Sequence, residues 1–194
     1  MQFLDSLPQD NLVIADASIL INIYASGFAT DILQSLPSPA HVLDYVVEHE
    51  VLCYRDTNEQ VTISLRPAID RGLLELIRFD DDVRYLSEYL SLMSEIALHK
   101  KTVDEGEAKT FACAYTNKWL VATDDMTANK IIDAVRPNTI SAITTPLIVE
   151  HFVRSTSAPH DIIVAIVRNI KARAKFTASK KDPLCEWWNA YLPI

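Results

Sequence analysis

Six carboxylates in this 194-residue chain stand where α/β proteins keep their chemistry. Asp16 follows directly on the apolar run Leu12-Val13-Ile14-Ala15. Asp124 and Asp125 follow directly on Trp119–Thr123. Glu48 and Glu50 come shortly after Ala40–Leu43, and Glu107 opens the segment that leads into Trp119–Thr123. Each short apolar run reads as a buried strand, and in an open parallel sheet ligands bind beyond the carboxyl ends of the strands, where the strand order reverses. Neighbouring strands lie about 4.8 Å apart, so acids at adjacent strand ends come within reach of one ion. Two unit charges 4 Å apart repel by about 4 kcal/mol at an effective dielectric of 20. Four ionised carboxylates in one cleft therefore require bound protons or a cation. Oxygen donors without a His or Cys pattern select Mg²⁺ or Mn²⁺ over zinc. Such an ion orients a water, lowers its pKa and clamps a phosphate oxygen, which is the chemistry of metal-assisted phosphodiester hydrolysis. Taken singly, each Asp after a strand is explained as a helix N-cap; their recurrence at strand ends is what points to a site.

Composition narrows the field. There are three glycines, Gly27, Gly72 and Gly106, and they do not cluster, so no glycine-rich loop cradles a phosphate or a dinucleotide. Eighteen basic against 26 acidic residues give a net charge of -8, which disfavours duplex DNA bound through a broad basic face. Cys53, Cys113 and Cys185 are far apart and form no CxxC pair, as expected of reduced thiols in a cytoplasmic protein rather than a zinc cluster or disulfide frame. No signal peptide and no membrane span are expected, since the first residues lack a basic and apolar leader and no apolar run approaches about 20 residues.

The acids need a frame to position them. The pattern predicts strands at Leu12–Ala15, Ala40–Leu43, Trp119–Thr123 and Thr139–Ile143. Helices are predicted at Ala17–Ala25, Phe28–Leu36, from Val46 towards Leu52, Glu105–Asn117, Asp125–Val135, Pro146–Arg154 and Pro159–Lys175. Asp80, Asp81 and Asp82 open a further helix in which Val83, Leu86, Leu90, Met93 and Ala97 are expected on one buried face. Residues 53–72 read as an insertion with a β-hairpin, Val61–Leu65 pairing with Leu73–Phe79. Alternating strands and helices predict a three-layer α/β/α fold around a central parallel sheet, with residues 1–178 as the main domain. The tail 179–194 carries Trp187, Trp188, Tyr191 and Leu192, and is expected to extend the fold with a helix packed on the body or on a partner.

The residues around these acids resemble the PIN-domain family of ribonucleases. Leu12-Val-Ile-Ala-Asp16-Ala-Ser18-Ile-Leu20-Ile-Asn22 resembles the family's opening motif. Val47-Glu-His-Glu50-Val51 resembles the second, whose spacing selects Glu50 over Glu48. Gly106-Glu107-Ala108 and Val121-Ala-Thr123-Asp124-Asp125 resemble the third and fourth; the 18 positions from Glu107 select Asp125 over Asp124. The Gly-Glu pair is similar to a subgroup with Glu in place of Asp. The resemblance, running from about Leu12 to Phe176, implies a ribonuclease that cuts single-stranded RNA. Asp16, Glu50, Glu107 and Asp125 would be its catalytic acids, and Asp16, Glu107 and Asp125 would hold Mg²⁺ or Mn²⁺. Ser18, Asn22 and Thr123 would support them. It also implies a homodimer and, as in many members, the toxin of a pair with an antitoxin protein. The chain departs from the family in the length of 53–72, in Asn129-Lys130 and in the segment after Lys180.

Arg168, Lys171 and Lys175 fall at i, i+3 and i+7 of the last long helix and form a candidate RNA-tracking stripe, with Ile163, Ile166 and Ile170 opposite. The alternative to an enzyme is a PIN-fold protein that binds or regulates without cutting. A phosphotransfer receiver is disfavoured because Asp16 stands alone after its strand and Thr144-Thr145-Pro146 follows the last one. Ser18, where a second Asp would be needed, disfavours a haloacid-dehalogenase-type phosphatase.

Overall fold

The computed structural model describes residues 12–137 and 142–192. Its strands are β1 (Leu12–Ile14), β2 (Ala40–Leu43), β3 (Cys53–Asp56), β4 (Glu59–Thr62), β5 (Leu74–Ile77), β6 (Leu120–Ala122) and β7 (Ala142–Ile143). Five of them form one parallel sheet in the order β5-β2-β1-β6-β7, and β3 and β4 pair apart as an antiparallel hairpin. The helices are α1 (Ala17–Ala25), α2 (Ala29–Ser35), α3 (Asp44–His49), α4 (Arg66–Asp70), α5 (Val83–Leu98), α6 (Glu105–Asn117), α7 (Met126–Val135), α8 (Thr145–Thr156), α9 (His160–Asn169) and α10 (Cys185–Asn189).

Alternation along β1 explains the layers. Leu12 and Ile14 join a core with residues of α1, α2, α8 and α9, among them Leu20, Ile32, Ile148 and Ile166. Val13 and Ala15 turn to the other face and meet Leu92 and Ile96 of α5, Phe111 of α6 and Ile132 of α7. Residues successive in a strand point to opposite faces, and a parallel sheet with helices on both faces needs apolar side chains throughout. The arrangement is thus a three-layer α/β/α sandwich. Among the described residues, no helix is long and apolar enough to cross a membrane.

Several elements differ from expectation. Of the strand expected over Thr139–Ile143, Ala142 and Ile143 form β7; its first three residues lie outside the described ones. The helix expected from Val46 towards Leu52 starts two residues earlier, directly off β2, and ends at His49 with Glu50 in extended backbone. The hairpin closes within 53–62, Cys53 opposite Thr62, so Val61–Leu65 does not pair with Leu73–Phe79. Leu74–Ile77 instead joins β2 in parallel, Val42 opposite Leu76, and becomes an edge of the main sheet.

The buried face of α5 is turned from the expected one, with Met93 of the expected stripe half-buried against the core. Val83 is 79 % exposed, Leu86 48 % and Leu90 56 %, while Tyr85, Leu92 and Ile96 are buried. Both stripes recur at helical spacing. The buried one carries the aromatic anchors: Phe79 lies against Tyr85 and Tyr89 at 6.2 and 5.9 Å between ring centres. The Asn117 amide of α6 also donates to the Tyr85 hydroxyl at 3.0 Å. The tail packs on the body, with Trp188 of α10 wholly buried in the core and edge-on to Phe176.

Candidate functional site

The strand order reverses between β1 and β6, and register places the acids there. Ile14 lies opposite Ala122, and the pairing continues as Ala15 N–H donates to Ala122 O at 2.9 Å. Two residues on, Asp16 is level with Asp124. On the far side Ala122 lies opposite Ile143, so Asp124 is level with Thr145. The helix α6 leads into β6, which brings its first turn, and Glu107 with it, to this same end of the sheet.

Each acid is held by the chain. Asp16 N-caps α1: the Ser18 N–H donates to Oδ1 at 2.8 Å and the Ser18 hydroxyl to Oδ2 at 2.7 Å. Asp125 N-caps α7, its Oδ1 accepting from the N–H groups of Thr127 and Ala128 at 2.6 and 3.2 Å. The Thr123 hydroxyl accepts from the Asp125 N–H at 3.0 Å and fixes the turn out of β6. Asp124 is a tie between elements. Its carboxylate accepts from the N–H and hydroxyl of Thr145 at 2.9 and 2.6 Å and from the Asn22 amide at 3.0 Å. Asn22 also donates to Thr145 Oγ1 at 3.1 Å. Of the three supporting residues expected, Ser18 and Thr123 therefore serve Asp16 and Asp125, whereas Asn22 serves Asp124.

Glu107 belongs to a capping box that the sequence pattern contains and the motif reading missed. Asp104 N-caps α6 by accepting from the Gly106 N–H at 2.9 Å, and Glu107 stands three residues on, the position the capping-box pattern requires. Gly106 keeps this turn close to α3: a Cβ there would stand 3.1 Å from the Tyr45 ring, which would have to give by a few tenths of an ångström.

The electrostatics tie these acids into one field. Burial, and then the charges of Asp125, Asp16 and Asp104, push the Glu107 carboxyl up to about 7. Partial burial, and then the charges of Asp104 and Asp16, raise Glu50, whereas Glu48 is exposed on α3. Burial raises Asp124 to about 6 against the hydrogen bonds of Thr145 and Asn22, with Asp16 adding to the rise. Asp104 is thus a sixth member of this field, one that the motifs did not single out. Lys109, two residues from Glu107, is committed elsewhere: its ammonium bonds Glu105 at 2.9 Å and lies 4.3 Å from the centre of the Tyr45 ring.

No protein-family model, curated protein or solved structure matches the chain.

The donor set consists of carboxylate oxygens, which suits a hard divalent cation. Among the described residues, no three His, Cys, Asp or Glu side chains draw close enough to enclose a metal ion. Mg²⁺ does not need such a cage, since it keeps several waters and is usually held by one or two carboxylates together with a substrate phosphate.

The basic stripe is not beside the acids. α9 ends at Asn169, and a π-helical turn over Ile170–Ala174 breaks the angular register from Arg168 to Lys175. Ile163, Ile166 and Ile170 are buried as expected, and Lys175 curls back to donate to Ala172 O at 2.8 Å. This segment docks on the far end of α1, where the Asn169 amide donates to Ser26 O at 2.8 Å. Nine residues of helix, about 14 Å, separate that end from Asp16.

Proposed function

We propose that this protein is a PIN-like, metal-dependent ribonuclease that hydrolyses phosphodiester bonds of single-stranded RNA. What supports the reading is the placement of Asp16, Glu107 and Asp125 around the strand-order reversal, with Glu50 at its edge, where each acid raises or is raised by another. A structural cap gains from being exposed and ionised; a carboxyl that burial and then like-charged neighbours hold well above its ordinary range does not. Asp16, Glu107 and Asp125 would hold Mg²⁺ or Mn²⁺ through part of their oxygens, with Glu50 acting from the edge. Bound there, the ion would lower the pKa of a water and offset charge on the phosphate. Ser18 fixes the Asp16 carboxylate, Thr123 fixes the turn that carries Asp125, and the Asn22–Asp124–Thr145 tie keeps the strand ends at one height. A paired antitoxin protein and a homodimer belong to this proposal as properties of the family it resembles.

A second reading, a protein of this fold that binds without cutting, is favoured by the caps. Asp16, Asp104 and Asp125 each spend an oxygen on their own helix. One experiment separates the two. Cleavage of an unstructured, end-labelled RNA is followed with Mn²⁺, Mg²⁺ or chelator, for the wild type and for Asp16→Asn and Glu107→Gln. The ribonuclease reading expects metal-dependent cleavage lost in both variants. Intact RNA with the wild type, or equal cleavage by the variants, removes it.

A further inference from the structure

Beside Asp125 the structure contains a second feature, a cavity of about 380 Å³ between α7, the end of β7 and the tail. Met126, Asn129 and Asp133 line it at i, i+3 and i+7 of α7; Thr144 lines it from the other side; Lys181 and Asp182 close it from the tail. Its size falls in the range of pockets that take small molecules. It adjoins the acids at two points, since Met126 follows Asp125 and Thr144 precedes the Thr145 that bonds Asp124.

Two buried polar side chains lack part of their hydrogen bonding in this wall. Thr144 is 9 % exposed, and its hydroxyl has no partner. Asp182 is 7 % exposed and uses one carboxylate oxygen, accepting from the Leu184 N–H at 2.7 Å. Buried polar groups are ordinarily paired, so a wall with a free hydroxyl and a half-used carboxylate suits a polar ligand. The tail that carries Asp182 is no loose appendage, because Trp188 anchors it in the core. Acceptors dominate the lining: Asp133 and Asp182 accept only, Asn129 and Thr144 do both, and Lys181 alone is a pure donor. Met126 and Leu147 add apolar surface for the face of a flat ring.

We propose that this cavity holds an unpaired RNA base bearing an exocyclic amino group, next to the phosphodiester that water would hydrolyse at the acids. The proposal rests on the ribonuclease reading and deepens it. Single-stranded RNA is read by splaying a base out and bonding its edge, and carboxylates accept from exocyclic amines such as that of cytosine. Uracil has no amine, and its single ring N–H lies between two carbonyls that face these carboxylates unfavourably. Lys181 stands at the rim, where an adjoining phosphate would meet it.

The test has two arms on the full chain. Calorimetric titration with guanosine, cytidine, adenosine and uridine 5′-monophosphates is expected to show the first three binding about tenfold or more tightly than the last. Thr144→Val and the surface variant Asp133→Asn should each bring the four within about twofold. Equal binding of all four, no binding of any, or an unchanged preference in both variants overturns the proposal. In the second arm, cut sites are mapped on one RNA of mixed sequence with Mn²⁺. Cuts should fall beside amino-bearing bases, and Thr144→Val should spread them while total cleavage persists. Selective nucleotide binding with uniform cleavage overturns the RNA base in favour of a free nucleotide. Selective binding with no cleavage by the wild type removes the ribonuclease reading and leaves the base pocket standing.

Discussion

The Thr145 hydroxyl donates to Asp124 Oδ2 at 2.6 Å while its N–H donates to Oδ1 at 2.9 Å, so a single carboxylate joins the end of β6 to the start of α8. Asp125, one residue on, bonds only within its own turn and α7. Adjacent acids therefore do different work. Asp124→Ala would strand the Asn22 amide and the Thr145 hydroxyl and is expected to destabilise the fold by about 2–4 kcal/mol. Asp125→Ala removes a cap and should cost about 1 kcal/mol, while abolishing any metal-dependent activity. Urea unfolding of the two variants, beside the RNA assay, checks this; equal stability losses would contradict it.

The raised carboxyls give stability a defined pH dependence. Between the ordinary Glu value of 4.5 and about 7, the folded protein keeps a proton on Glu107 that the unfolded chain has released. More protons on the folded state mean that stability falls as pH rises. The contribution is complete below about 4.5 and is lost through about 7, amounting to at most about 3 kcal/mol. Asp124 acts in the same direction up to about 6. Metal-free protein should melt at a lower temperature at pH 8 than at pH 5.5, and Glu107→Gln should flatten the slope. A melting temperature that rises over this interval, in protein kept free of divalent ions, would sink the electrostatic picture of the site.

Where local signals coincide, the sequence is legible. The run Leu12–Ile14 is apolar on both faces, and Asp16 caps the next helix, so β1 and α1 are found to within a residue. β5 is different. Its partner β2 lies some thirty residues upstream, and nothing local in Leu74–Ile77 tells a parallel sheet edge from a hairpin arm. The π-helical turn at Ile170–Ala174 leaves no composition signal either, and it is what breaks the basic stripe. In the site, what singles out Glu50, Glu107 and Asp125 is their resemblance to the family's motifs. The role of Asp104 was written in the pattern Asp104-Glu-Gly-Glu107, a capping box, but its charge matters only because folding brings Asp16 and Asp125 to the same place. The division of labour between Asp124 and Asp125 depends on Thr145, across a strand pairing that no spacing rule encodes.

Metal binding has a readout independent of RNA. A ligand that binds only the folded state at a hundredfold its Kd stabilises it by about 2.7 kcal/mol. For a chain of this length that raises Tm by about 5–10 °C. Mn²⁺ is expected to do so for the wild type and for Thr144→Val, which leaves the acids intact, and not for Asp16→Asn. The effect should be greater at pH 8 than at pH 5.5, because Glu107 must lose its proton to become a ligand. Melting curves at both pH values check it, and a shift shared by Asp16→Asn would place the ion elsewhere.

The turned face of α5 makes a prediction that separates periodicity from packing. Leu90 and Leu92 lie two residues apart on one helix, Leu90 56 % exposed and Leu92 wholly buried against α6 and α7. Truncating a buried leucine removes its transfer free energy and leaves a cavity, so Leu92→Ala should cost about 2–5 kcal/mol. Leu90→Ala removes side-chain surface that water already reaches and replaces it with the best helix former, so its effect should stay within about 0.5 kcal/mol. On the other flank, Arg136 from the end of α7 is bonded to Glu88 and Glu95. Glu95 is held below its usual range chiefly by that hydrogen bond, which fixes the rotation of the helix about its axis. If α5 were rotated to bury the stripe Val83, Leu86 and Leu90, the order would invert, with Leu90→Ala the costly change. Chemical unfolding of the two alanine variants decides between these rotations.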